Sequence, residues 1–175
     1  MIGRTQLSEV EEPLEDLLET PTLESLADES EIRRVVDEID NLCDRKDWEK
    51  LRSFFTDEVE ADFTSLAGGE ASTIKTDDFI GAWKKNLFAE KKTFHQRGNH
   101  RIKISGDKAE VFSKAYAFNL LEEGEITGLW EVWGNYTHTL TRTETGWKCS
   151  GMTLEVIHQR GDESVRTFIP GEAEK

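Results

Sequence analysis

The sequence predicts an α+β fold in which a curved antiparallel sheet wraps around N-terminal helices and encloses a cone with a central pocket. Three observations carry that prediction. Apolar residues recur at three- and four-residue spacing as far as Leu87, the helical period. From Thr93 the period changes to two, and Val, Thr, Tyr and Trp, which fit a pleated surface, become frequent. Gly106, Gly124 and Gly146 mark turns between the strand-like runs, and no internal repeat is present. Helices followed by a strand meander bury their apolar stripes on one face of the sheet. The open end of such a cone is a natural small-molecule cavity.

The elements follow in order. Asp28 or Ser30 is positioned to cap a first helix, whose buried stripe is Ile32, Val35, Val36, Ile39, Leu42 and Cys43. Asp47 fits as the cap of a second helix that turns Trp48, Leu51, Phe54 and Phe55 inward. A short strand over residues 59–63 and a polar, glycine-containing loop over 65–76 come next. A third helix over 76–87 packs through Phe79, Ile80, Trp83 and Leu87. Strands are expected over 95–104, 109–121, 126–142 and 147–158. Alternation puts Trp130, Val132, Gly134, Tyr136 and His138 on one face of the long strand, and Ser150, Met152, Leu154 and Val156 on one face of the last. A cavity lined by these sets is mainly apolar.

Charge and composition exclude several classes. The net charge is −14, but residues 1–31 hold ten acids against the single base Arg4. The acidity therefore belongs to an N-terminal arm (1–28), Leu14, Leu17 and Leu18 of which could form a short amphipathic turn. A cone domain (29–159) and a short tail (160–175) follow. No basic stripe is available to nucleic-acid phosphates, and no apolar run approaches the roughly 18 residues of a membrane span. Cys43 and Cys149 sit inside apolar patterns, and the chain opens without a signal-peptide pattern. Together these features predict a cytoplasmic protein with free thiols.

No phosphate loop, dinucleotide fingerprint, serine elbow or zinc-helix motif occurs. His95 and His100 are five apart on a strand, which sends them to opposite faces unless a bulge intervenes, so no metal site is expected. Asp44 lies off the apolar stripe. A carboxylate near a helix C-terminus faces the negative end of the dipole and needs a cation or donor nearby; His95, at the start of a strand, is a suitable partner. If the two meet, the carboxylate fixes the imidazole tautomer and the far nitrogen can take a proton.

Three stretches fit one known pattern: Asp44-Arg45-Lys46-Asp47-Trp48 followed by Asp62-Phe63, Lys92-Thr93-Phe94-His95 ahead of Gly98, and Gly146-Trp147-Lys148 followed by Gly151. On these the chain, over about residues 32–158, resembles the nuclear transport factor 2-like superfamily (cystatin-like α+β cones). Within it the SnoaL-like group and its scytalone dehydratase-like branch are the nearest in detail. The resemblance implies that Asp44 and His95 form a catalytic dyad, as the same pair does in the related hexachlorocyclohexane dehydrochlorinase. It also implies a homo-oligomer, dimer or trimer, formed through the sheet. In the scytalone dehydratase branch two tyrosines, a second histidine and a serine hold and polarise the substrate. Here Cys43, Phe63, Leu121 and Gly134 take those places, so the base is retained without that electrophilic set, and a ligand-contacting polar position maps near Tyr136.

The function expected is a cofactor-independent lyase or isomerase, dehydratase-like, acting on a small and largely apolar molecule. Asp44 orients His95, and His95 abstracts the proton. Trp48, Phe63, Asn119, Trp130, Val132, Tyr136, Met152 and Leu154 contact the substrate, with neither metal nor cofactor. The alternative is a non-catalytic ligand-binding or assembly domain, which Asp44 and His95 pointing apart, or a cavity filled by the chain's own tryptophans, would favour. A ring-hydroxylating dioxygenase small subunit is a third option.

Overall fold

A computed structural model describes residues 20–172. The expected turn at Leu14, Leu17 and Leu18 lies outside them. Helix α1 (Leu23–Arg45) begins earlier than the sequence suggests, because Thr22 and Ser25 form a reciprocal capping box. Asp28, expected as a cap, instead lies within the helix, where it accepts both Nη groups of Arg142 at 2.8 and 2.6 Å and the Trp147 indole N–H at 3.1 Å. The helix ends where Lys46 turns left-handed, at φ 61°. Asp47 caps α2 (Trp48–Arg52) by accepting the Lys50 N–H, as its position predicts.

Strand β1 (Phe55–Asp62) starts on the fully buried Phe55 and is longer than the sequence indicates. The expected loop holds two short elements, α3 (Thr64–Ala67) and the edge strand β2 (Ser72–Lys75), before α4 (Thr76–Asn86). Four long strands follow: β3 (Lys92–Ser105), β4 (Lys108–Leu121), β5 (Gly128–Thr143) and β6 (Gly146–Gly161). The stretch assigned to a tail contains α5 (Glu163–Thr167), whose Val165 is fully buried.

The six strands lie in the order β2-β1-β6-β5-β4-β3, in a sheet that does not close. One expectation is corrected: the sheet is mixed, because β1 runs parallel to β6. Alternation specifies which face a side chain takes but not the direction of a neighbouring strand. The main core lies between the helices and the sheet and contains Ile32, Val36, Ile39, Leu51, Phe55, Val59 and Leu140. A smaller cluster of Leu121, Trp130, Val132 and Val165 joins α5 to the sheet.

Gly146 opens the last hairpin at φ +102°, and a Cβ there would sit 2.2 Å from Glu31 Oε1. That glycine lets α1 approach, and the Glu31 carboxylate accepts the Trp147 N–H at 3.1 Å. Among the described residues no helix is long and apolar enough to cross a membrane.

Candidate active site

Bulges decide which side chains reach the interior. In β6 the register shifts at Ser150, so Cys149 and Met152 both turn inward. Ser150, expected on the inner face, instead hydrogen-bonds the neighbouring strand through Thr139 and Thr141. In β3 a shift between Gly98 and Arg101, with Asn99 at φ 54°, brings His100 onto the same side as His95 and Arg97. That is the exception the sequence left open.

All three then meet acids of α1. Asp37, Asp40 and Asp44 are spaced three and four apart on one helix face; they pair with His100 at 3.2 Å, Arg97 at 2.5 Å and His95 at 2.7 Å respectively. Among the described residues no group of His, Cys, Asp and Glu is arranged to hold a metal ion.

The Asp44 carboxylate is enclosed by donors. It accepts the Thr93 hydroxyl at 2.8 Å, the His95 backbone N–H at 2.8 Å, and His95 Nδ1 at 2.7 Å. The Lys46 ammonium donates in turn to Thr93 Oγ1 at 2.8 Å. Burial alone would raise the pKa of Asp44, but the His95 and Thr93 hydrogen bonds and the nearby imidazole hold it below the usual carboxylate value. An ionised carboxylate can only accept, so His95 Nδ1 carries a proton, and in the neutral ring Nε2 keeps a lone pair. Nε2 has no hydrogen-bond partner among the described residues, and His95 lines a cavity.

That cavity is about 200 Å³ and mainly apolar, below the roughly 300–1,000 Å³ common for drug-sized ligands. Its floor is built in register rows across the sheet: Trp130 beside Asn119, Val132 beside Ala117 and His95, then Gly134 beside Ala115 and Arg97. Ala115, Ala117 and Gly134 are small, and this leaves the space open.

Of the residues expected to contact substrate, Phe63, Asn119, Trp130, Val132, Tyr136, Met152 and Leu154 line the cavity. Trp48 does not; it opens α2 and packs at the edge of the main core. Asp44 stands behind His95 and does not border the cavity itself. Side-chain exposures of 20% for Asp44 and 22% for His95 place the pair between core and opening. The tryptophans do not fill the cavity: Trp83 and Trp130 form parts of its wall.

At the other end of the floor is a cluster that sequence reasoning missed. Arg97, with its side chain 3% exposed, donates Nε and Nη2 to Asp40 at 2.5 and 2.6 Å, and Nη1 to His138 Nε2 at 2.6 Å. Burial opposes the Arg97 charge, but Asp40 outweighs it and raises the pKa above its ordinary value. His138 is held well below its ordinary value by burial and by the Arg97 charge, so it is neutral. The Arg97 guanidinium lies 3.9 Å from the centre of the Tyr136 ring. Burial pushes Tyr136 and Cys43 up to about 12 each, so both keep their protons.

One signal could have found Asp40. It stands four residues after Val36 and three before Cys43, inside the apolar stripe, where a carboxylate needs a buried partner. Asn86 and Arg166 also border the cavity, and their place there is decided by α5. The Arg166 carbonyl accepts Asn86 Nδ2 at 2.9 Å, and buried Lys91, lowered by burial to about 8, donates to the Phe168 carbonyl at 3.0 Å.

Fold and site together define a nuclear transport factor 2-like α+β cone with an internal small-molecule pocket. The SnoaL-like domain model matches residues 24–153. The chain belongs to the SnoaL-like family. Among solved structures it is similar to the Kfla4162 protein of Kribbella flavida, at 26% identity and a TM-score of 0.73, covering 78% of this chain and 95% of that one. A type 2 hexachlorocyclohexane dehydrochlorinase (LinA) is 20% identical with a TM-score of 0.66, covering 86% of this chain and 99% of its own. A scytalone dehydratase candidate from Novosphingobium aromaticivorans is 19% identical with a TM-score of 0.67, covering 85% and 97%. No curated protein matches the chain by sequence.

Proposed function

We propose that this protein is a cofactor-independent lyase or isomerase of the dehydratase type, with Asp44 and His95 as its general-base dyad. The observation that carries the reading is the 2.7 Å contact from Asp44 to His95 Nδ1, which leaves Nε2 unpartnered on an apolar cavity. His95 takes a proton from a carbon of the bound molecule, and Asp44 stabilises the imidazolium that forms. Catalysts of this kind in structures of similar fold, the dehydrochlorinase among them, make the reading consistent with the family. The test is proton NMR in D₂O on a panel of small cyclic ketones and β-hydroxy ketones, following exchange at the carbon next to the carbonyl and loss of water. Exchange or elimination that survives in both His95→Ala and Asp44→Asn would show that another group is the base.

The proposed partner is a second copy of the chain, docked on the outer face of the sheet. Phe94, Leu129 and Ile157 are 43%, 41% and 63% exposed there. Phe118, Tyr116, Trp133 and His158 continue the strip as a chain of ring contacts. Apolar surface of this kind is characteristic of a contact site. Ile157→Lys is expected to shift the oligomer toward monomer in sedimentation; an unchanged mass would place the interface elsewhere. A reducing compartment such as the cytoplasm suits the free thiols of Cys43 and Cys149.

A further inference from the structure

The dyad supplies a base but nothing to receive the charge that proton abstraction leaves on the substrate. The groups that hold and polarise substrate in the scytalone dehydratase branch are replaced here, so any electrophile must come from other residues. Besides His95 Nε2, the Asn119 amide and the Tyr136 hydroxyl are polar groups of cavity-lining residues with no hydrogen-bond partner among the described residues. Both side chains border the cavity, and neither polar group is sealed from it. Tyr136 differs from Asn119 in what lies behind it. Arg97, its side chain only 3% exposed, covers the ring at 3.9 Å, and His138 stacks beside it at 5.4 Å.

A cation over the π face draws electron density from the ring and makes the phenolic O–H a stronger donor. The cation cannot move away. Asp40 grips two of its nitrogens, and its third is committed to His138. All three guanidinium nitrogens are engaged in this way, Nη1 facing both ring nitrogens of His138, and Arg97 itself borders the cavity. The cluster is preorganised, and in a site that excludes water such donors stabilise a developing oxyanion strongly.

Resting on the general-base reading, we propose that Tyr136 is the electrophile of the site and Arg97 its positioning residue, so that the substrate is a small carbonyl compound rather than a halogenated hydrocarbon. The step balances without an oxidant or reductant. His95 Nε2 takes the proton from the carbon next to the carbonyl, the C–H electron pair becomes a C=C bond, and the carbonyl π pair moves onto oxygen. That oxygen accepts the Tyr136 O–H and lies in the field of Arg97. Collapse of the enolate then expels a β-hydroxyl, which leaves as water with the proton from His95, or returns the proton to a different carbon. Loss of a halide leaves no charge on a carbonyl oxygen for the Tyr136 O–H to receive.

The test uses an oxyanion probe, so it does not require turnover. The full chain is titrated with 4-nitrophenol at a pH where the phenol is ionised, and with 4-nitrotoluene as the neutral analogue of the same shape. The wild type is expected to prefer the phenolate and to shift its absorption maximum on binding. Tyr136→Phe is expected to weaken phenolate binding by about 10–100-fold, the range for a hydrogen bond to a charged acceptor, and to leave 4-nitrotoluene unchanged. The pair Asp40→Asn with Arg97→Gln keeps the cluster neutral and is expected to move the bound maximum back toward that of the free anion. A wild type that does not discriminate between the probes, or a Tyr136→Phe variant that binds phenolate undiminished, overturns the proposal. Loss of deuterium exchange in His95→Ala reads the base, whereas the phenolate titration reads Tyr136 without turnover.

Discussion

His95→Ala is expected to lower the rate of deuterium exchange or elimination by about 10²–10⁴-fold, the usual contribution of a positioned imidazole base. The size of the effect follows from the geometry. Nε2 is the one basic nitrogen on the cavity wall that is not already donating or buried behind Arg97. His138 offers no substitute, because its Nε2 accepts from Arg97 at 2.6 Å. Asp44→Asn should fall in the same direction through a different route, since an amide can present its N–H to the ring and favour the wrong tautomer.

The same carboxylate gives a signature in stability. Its folded pKa lies below the ordinary value of 3.8, so the unfolded chain binds the proton more readily. The stabilisation from Asp44 is complete above the unfolded value and is lost as pH falls through the lower, folded one. Acid unfolding below about pH 4 should therefore begin at higher pH, and be less steep, in Asp44→Asn measured beside wild type. Identical acid limbs would show that the Thr93 and His95 donors do not hold the carboxylate in solution.

Arg97→Leu is expected to produce the largest loss of stability, about 3–5 kcal/mol, because it leaves Asp40 charged and buried without a partner. For a chain of this length that corresponds to a fall of roughly 6–20 °C in Tm. The cost comes from the orphaned carboxylate more than from the lost pair, so Asp40→Leu added to Arg97→Leu should recover much of it. A double variant no more stable than the single one would locate the loss in packing against Tyr136 instead. Either variant should also lose the phenolate preference, which separates the positioning role of Arg97 from its structural one.

Several features were legible in the sequence because they are local. The stripe from Ile32 to Cys43, the Asp47 cap, the third helix and the four long strands all follow from side-chain period and turn chemistry within a few residues. Alternation also placed Trp130, Val132, Gly134 and Tyr136 on the face that borders the cavity. It failed at Ser150 and at His100, because a single extra residue in a strand exchanges the two faces and leaves no mark in composition. The short α3, β2 and α5 were missed because each is too brief to show a period. The start of α1 was set by Thr22 and Ser25, while the more conspicuous Asp28 was taken up by Arg142.

The sequence by itself determined the α+β class, the order of most elements, and which acid and histidine deserved attention. Only the tertiary structure decided that β1 runs parallel to β6, that Trp48 stays outside the cavity, and that three acids of α1 meet three bases of β3. It also decided that Tyr136 is backed by a buried cation. The physical reason is sequence distance. The Asp44 to His95 and Asp40 to Arg97 contacts join residues 51 and 57 positions apart. No periodicity spans that interval; packing of the helix on the sheet sets these partners against one another, and the bulge after Gly98 adds His100 to the same side.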